Sequence, residues 1–239
     1  MIKLVKRFFI FFITIFIIII FIKKDYFSYK LKYLILSYSN YADMVLNEVY
    51  ITGRKHEKKD DIIEALNIDI GDPVFSFDLE ALRKRINNLA WVNYSKVYLR
   101  PLGQLDIVLS EYLAFGVFKF NEEYYLINNE GIKFKTIQSF EFPDLFRLYG
   151  EGAIISIKDL SPIVKKLEQL NLEVIKIERV DSRRWNIYIK QGYFIKLPNF
   201  NPINAIDYLY QLNNNINYTN LYSIDLRIEN RISLKYNQN

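Results

Sequence analysis

Residue types that commonly perform catalysis or bind metals are few in this chain, and they are not grouped. The 239 residues include a single histidine, His56, and no cysteine. His56 lies in the polar run RKHEKKDD beside a predicted helix start, which is typical of a solvated loop residue and not of a metal ligand or general base. The neighbouring carboxylates Asp60 and Asp61 have no further ligands at a fixed spacing, so helix capping explains them better than metal binding.

The wider sequence adds no catalytic motif. It contains no glycine-rich phosphate loop, no nucleophile elbow and no histidine pair, and its other carboxylates are scattered over polar positions. The sequence therefore predicts a protein without an enzyme active site, a metal or a cofactor, and without a small-molecule substrate.

The positive net charge is concentrated at the N-terminus. Residues 1–32 contain seven Lys or Arg side chains and one acidic residue, Asp25, so their net charge is +6. The net charge of the remainder of the chain is −1. A nearly neutral remainder has no electrostatic footprint for DNA or RNA. Basic residues around an apolar segment instead favour contact with anionic lipid head groups, so membrane lipid is the expected contact there.

That apolar segment is residues 8–22, FFIFFITIFIIIIFI, which has no charge. As a helix it covers about 22 Å, and flanking Arg7 and Lys23 can extend it toward the roughly 30 Å hydrocarbon layer. A cleaved signal peptide is the alternative, but large and charged residues follow, which favours an uncleaved anchor. We predict a cytoplasmic tail at 1–7, a transmembrane helix at 8–22 and a linker at 23–44, where 26–43 is either a helical continuation or a plain spacer.

The next stretch predicts strand, helix, helix, strand and strand between Val49 and Leu109. A helix begins near Asp61, with Glu64 completing a capping box, and a second begins after Asp78. In the second helix, Leu82 belongs to an apolar stripe and Arg83 faces solvent. The two strands after it alternate apolar and polar residues on either side of a hairpin turn at 101–104.

Short strands dominate the remainder of the chain. The pattern predicts a β-meander at 114–120, 124–127 and 132–134, followed by strands at 174–179, 184–190, 193–197, 223–227 and 232–236. It also predicts a helix at 161–170 capped by Ser161, and another that starts at Asn201 and Pro202.

The sequence between Val49 and Leu109 resembles the POTRA domain of the FtsQ/DivIB family of bacterial cell-division proteins. The residues that carry this resemblance are Gly71, Pro73, Phe75, Asp78, Trp91 and Val92. Two later stretches also resemble the family, namely the RRW of 183–185 and the IDLR of 224–227. The resemblance implies an α+β fold with an N-terminal transmembrane helix, a βααββ POTRA domain at 45–111 and a β-rich, partner-binding domain with flanking helices at 112–239.

The same resemblance implies a function. The resemblance implies a non-enzymatic scaffold that is anchored in the inner membrane by a single transmembrane helix. Its N-terminus would lie in the cytoplasm, and its domains would lie in the periplasm at the division septum. The implied partners are the division proteins FtsB and FtsL, and through them the septal cell-wall synthesis proteins. The residues expected to meet these partners are Arg183, Arg184, Asp225, Arg227, Ile228, Asn230, Leu234 and Tyr236.

Some alternatives remain open at this stage. Core packing explains Trp185 at least as well as direct partner contact does. A local ion pair likewise explains Asp225 and Arg227 at least as well as partner contact. Two further classes of function are an envelope transport or outer-membrane assembly adaptor, where POTRA units also occur, and an envelope enzyme. The adaptor class usually carries several POTRA repeats and a β-barrel, and the enzyme class is opposed by the missing catalytic motif.

Overall fold

The computed structural model describes residues 29–31, 34, 44–212, 214 and 216–237. The predicted transmembrane helix at 8–22 lies outside these residues. Within the part of the chain that is described, no helix is both long and apolar enough to cross a membrane. The chain separates into two compact units, with the division between Glu111 and Tyr112.

The first unit has the predicted βααββ order around a three-stranded sheet. Its strands follow the order β1-β3-β2, with β1 parallel and β2 antiparallel to the central β3. The elements are β1 (Glu48–Thr52), α1 (Lys59–Leu66), a 3₁₀ turn (Val74–Ser76), α2 (Leu79–Asn87), β2 (Val92–Arg100) and β3 (Gln104–Glu111).

The core of the first unit lies between the two helices and one face of this sheet. Leu82 and Ile86 of α2 are buried against Leu105 and Ile107 of β3. The predicted apolar stripe of α2 is therefore confirmed. Its start is confirmed as well, since the Asp78 carboxylate accepts hydrogen bonds from the backbone N–H groups of Glu80 and Ala81 at 3.0 and 3.1 Å.

The described residues of the second unit form nine strands and two α-helices. The elements are β4 (Gly116–Phe120), β5 (Glu123–Ile127), β6 (Lys133–Ile137), β7 (Arg147–Tyr149), α3 (Leu160–Gln169), β8 (Val174–Val180), β9 (Arg184–Ile189), β10 (Phe194–Lys196), α4 (Pro202–Leu212), β11 (Leu221–Asp225) and β12 (Ser233–Tyr236). These strands form one mixed sheet in the order β12-β11-β10-β9-β8-β7-β4-β5-β6. The predicted mixed α+β fold is confirmed for the two folded units.

Residues from α3 and α4 and from one face of this sheet form the core of the second unit. Trp185, only 1% exposed, belongs to it together with Ile187, Leu167 and Leu209. The core-packing interpretation of Trp185 is therefore correct. Arg179 covers the indole from one side, with its guanidinium carbon 4.4 Å from the ring centroid.

Two predicted helix starts were wrong. Helix α1 begins at Lys59, and its N-cap residue Lys58 makes no side-chain cap, so Asp61 lies inside the first turn. Helix α3 begins at Leu160, and Ser161 likewise falls within its first turn. Acidic residues still suit the first turn of α1 because the N-terminal end of a helix carries partial positive charge.

Candidate partner-binding edge

Strand β12 lies at one end of the nine-stranded sheet and pairs on one side only, with β11. Along this pair Leu234 faces Ile224 and Ser233 faces Asp225. The far end of β12 is fastened by the Tyr236 hydroxyl, which donates to the Asn217 carbonyl at 3.1 Å. No strand of the described chain covers the outer side of β12, so its outward backbone groups are available to an extended peptide.

The side chains of β12 differ in what they can offer. Leu234 is half-buried and packs against the core of the second unit, so it holds the strand in place. Tyr236 is more exposed and stands at the end of the strand. Of these two predicted contact residues, Tyr236 is thus the accessible one.

Residues before β12 form the turn that leads into it. Arg227 binds Asp225 through Nε to Oδ1 at 2.8 Å and through Nη2 to Oδ2 at 2.5 Å, so the local ion pair is present. Ile228 is 59% exposed, and Asn230 adopts a positive φ of 55°, a conformation that asparagine tolerates well.

The electrostatics of this pair follow from its contacts. Burial by itself raises the pKa of the Asp225 carboxyl, but the side-chain and backbone hydrogen bonds from Arg227 outweigh it and hold that pKa below its ordinary value. Asp225 therefore carries its charge throughout the neutral range and orients the Arg227 guanidinium at the start of the turn.

The two predicted arginines at 183 and 184 lie in a different turn, between β8 and β9. Arg184 binds Asp181 at 2.8 Å, whereas Arg183 is 3.8 Å from the same carboxylate and mostly exposed. Strand β9 is separated from β12 by β10 and β11, a distance of about 14 Å at the usual strand spacing. The structure thus groups the predicted residues of 225–236 in one hairpin. The two arginines lie three strands away, at the start of β9, on the side of the sheet where β11 ends and β12 begins.

Sequence reasoning missed a row of aromatic and lysine side chains on the sheet face opposite the helices. The Lys235 ammonium is 4.9 Å from the ring centroid of Tyr222, and the rings of Tyr222, Phe194 and Tyr188 follow one another at 5.5 and 5.2 Å. The signal was present in the sequence, because Tyr188 and Phe194 alternate with the buried isoleucines Ile187, Ile189 and Ile195.

The single histidine has a structural setting in the first unit. The His56 ring stacks on Trp91 with centroids 4.3 Å apart, and its Nδ1 is 3.1 Å from the Glu111 carboxylate. Glu111 also accepts backbone N–H groups from Lys55, His56 and Glu57 at 2.8 to 3.0 Å. Among the described residues, no group of three or more His, Cys, Asp or Glu side chains could hold a metal ion.

We expect Glu111→Gln to destabilise the first unit by about 1–3 kcal/mol at pH 7, because the amide cannot accept all of these hydrogen bonds. Burial raises the pKa of Glu111, but the backbone hydrogen bonds outweigh it and lower that pKa below its ordinary value. A lowered folded-state pKa stabilises the fold above the unfolded-state pKa of about 4 and loses that contribution as the pH falls through the folded value. Urea unfolding of both proteins at pH 7 and pH 3 tests this, and a difference that does not narrow at pH 3 would contradict it.

Comparison with known proteins agrees with this arrangement of two units. Residues 44–112 match the family described as POTRA domain, FtsQ-type, and residues 116–227 match the family described as cell division protein FtsQ/DivIB, C-terminal. Cell division protein FtsQ of Rickettsia bellii is 30% identical over 189 residues, which are 78% of this chain and 70% of that protein. The chain belongs to the FtsQ/DivIB family. FtsQ of Caulobacter vibrioides is 28% identical over 171 residues, 72% of this chain and 57% of that protein.

Membership of the FtsQ/DivIB family makes this chain a bacterial cell-division protein. The matched range contains Arg183, Arg184, Asp225 and Arg227 but ends there. The turn after Arg227 and strand β12 follow that range.

Proposed function

We propose that this chain is a non-enzymatic scaffold of the division machinery that binds the FtsB/FtsL pair by adding a partner strand to β12. The observation that carries this proposal is the position of β12 at the open end of the nine-stranded sheet. The family relationship supports a role in division, and the sheet edge supplies a way to hold an extended peptide.

Main-chain hydrogen bonds would supply the affinity in this mode. A strand laid along β12 pairs with its outward N–H and C=O groups, which otherwise bond to water. The four residues of β12 allow only a short ladder, so the ends of the strand must contribute as well.

Side chains beside the edge would supply the specificity. Arg183 is exposed and only loosely paired, and Arg184 lies beside it, so both can donate charge-assisted hydrogen bonds to a partner carboxylate. Asp225 orients Arg227, while Ile228, Asn230 and Tyr236 offer apolar and polar contacts on the hairpin. Leu234 serves the interface by fixing the strand.

We propose that residues 1–7 lie in the cytoplasm, that residues 8–22 cross the inner membrane once, and that a linker at 23–44 leads to the periplasmic domains at 45–111 and 112–239. In this arrangement the chain reaches the septum as part of the division complex and helps to assemble septal cell-wall synthesis.

Amide hydrogen exchange tests the strand-addition mode directly. On adding the periplasmic portions of FtsB and FtsL to the full chain, we expect exchange to slow at 233–236 because outward amides gain a partner. Strand β1, an edge strand of similar length in the first unit, is the matched control and should keep its exchange rates. Slower exchange at β1 with no change at β12 would mean that the partner binds the first unit, which would contradict the proposal.

A further inference from the structure

Three segments meet at one end of the first unit: residues 44–47 before β1, the connection 67–78 between α1 and α2, and the hairpin turn 101–103. Strand β1 is parallel to β3 and antiparallel to β2, so β1 and β3 start at this end and β2 finishes there. Backbone hydrogen bonds of 2.8 Å join residues 44–47 to each of the other two segments. These segments form the entry end of the unit, because the chain enters it here.

The entry end presents four large apolar side chains to solvent. Leu102 is 84% exposed, Ile70 is 64% exposed, Phe75 is 51% exposed and Met44 is 47% exposed. Each of the three joined segments contributes at least one of them. Single exposed apolar side chains are normal on a protein surface, but a group of four marks a surface that binds a protein or a membrane.

The charges around this apolar group are mixed. Asp69 and Asp72 lie on either side of Ile70, and Arg100, which precedes the hairpin turn, pairs with Asp106 at 2.5 Å. The group therefore has no excess of positive charge for anionic head groups or for an acidic protein. Burial of apolar surface is the interaction that it can offer.

The sequence before the entry end indicates what covers it. Residues 26–43 contain five tyrosines and only three charged residues, Lys30, Lys32 and Asp43. Tyrosine is enriched where a membrane meets water, and lysine can extend from such a position to the head groups. Because the apolar segment 8–22 comes just before, the chain that reaches the entry end has the composition of an interfacial segment.

We propose that the entry end docks on the membrane surface, with the side chains of Ile70, Phe75 and Leu102 inserted about 5–10 Å into the boundary between head groups and acyl chains. This inference rests on the membrane anchor proposed for residues 8–22 and is independent of β12. Strand β3 leads away from the entry end and finishes at Glu111. Docking would thus hold the first unit with that opposite end turned away from the bilayer.

Single labelled cysteines test the docking in the full chain, which has no cysteine of its own. Leu102→Cys and, separately, Lys55→Cys receive a fluorophore, and each chain is reconstituted in phosphatidylcholine vesicles that contain lipid with a spin label on its acyl chain. Position 55 lies at the opposite end of the unit, where the Lys55 N–H donates to Glu111 at 2.8 Å. We expect quenching at position 102 to be at least about twofold stronger than at position 55, because only the entry end reaches the acyl chains.

A pair of double variants tests the apolar side chains, with the label kept at position 102. Ile70→Asp with Phe75→Asp should reduce quenching to the level seen at position 55, while the urea midpoint of the first unit is kept because both side chains are exposed. The matched control is Tyr94→Asp with Tyr98→Asp, two side chains of β2 that are 46% and 49% exposed in the same unit. The control should quench as the unchanged chain does.

Equal quenching at positions 102 and 55 would overturn the docking, and so would equal effects of the two double variants. Phosphatidylglycerol added to the vesicles should change quenching little, and quenching that requires it would replace insertion by electrostatic attraction and overturn the proposal. A chain that does not float with the vesicles would overturn both the anchor at 8–22 and the docking. Binding of FtsB/FtsL is tested separately by removal of β12, so failure of the docking and failure of the proposed partner binding are distinguishable.

Discussion

Leu82→Ala should lower the free energy of unfolding of the first unit by about 2–5 kcal/mol. Leu82 is 2% exposed and packs with Ile62, Ile86 and Leu105, so truncation leaves a cavity that the two short helices cannot fill by moving. A loss of this size is a large part of the roughly 5–15 kcal/mol that stabilises a typical domain. The unit would therefore be partly unfolded at modest urea concentrations.

The control for this change is the neighbouring residue. Arg83→Ala removes an exposed ion pair with Glu80 and should cost less than about 0.5 kcal/mol. The chain has two tryptophans, one in each unit, so the fluorescence of Trp91 in a Trp185→Phe background reports on the first unit alone. Equal shifts in the urea midpoints of Leu82→Ala and Arg83→Ala would mean that the buried face of α2 has been assigned incorrectly.

Local patterns predicted most of the elements because each depends on neighbours in sequence. The stripe containing Leu82 and the cap at Asp78 follow from helical spacing and from the chemistry of free backbone amides, and the structure has both. The caps assigned to Asp61 and Ser161 failed because several residues in a polar run can begin a helix, and tertiary packing selects one of them.

Local sequence patterns do not predict strand order or contacts between residues that are distant in sequence. Strand β7 sits between β4 and β8 and is parallel to both, an order that depends on tertiary packing and not on the sequence of β7. The separation of Arg183 and Arg184 from β12 depends on the same strand order. A groove in the second unit is lined by both Phe200 and Ile228, and no local pattern connects these two positions.

Deletion of residues 228–239 should abolish binding of the FtsB/FtsL pair. The deletion removes β12 and part of the turn before it, and with them every outward backbone group that a partner strand would use. At a net value of about 1 kcal/mol for each lost hydrogen bond, a ladder of three or four bonds corresponds to an affinity loss of roughly 100-fold to 1,000-fold. The first unit has its own core and should keep its unfolding transition.

A charge variant separates the backbone contribution from that of the side chains. Arg183→Glu with Arg184→Glu in the full chain should weaken binding by only about tenfold, because these arginines lie about 14 Å from β12 and contact the partner at one point. A loss as large as that caused by the deletion would make side chains the main source of affinity and would contradict the proposed order.

The most direct measurement is isothermal titration of the periplasmic FtsB/FtsL pair into the full chain and into the chain that ends at Arg227. The fluorescence of Trp91, recorded in Trp185→Phe versions of both chains, confirms that the first unit is folded in each. We expect saturable binding to the full chain and no measurable heat of binding for the shortened one. Retention of full affinity after removal of β12 would contradict the claim that this strand edge holds the partner.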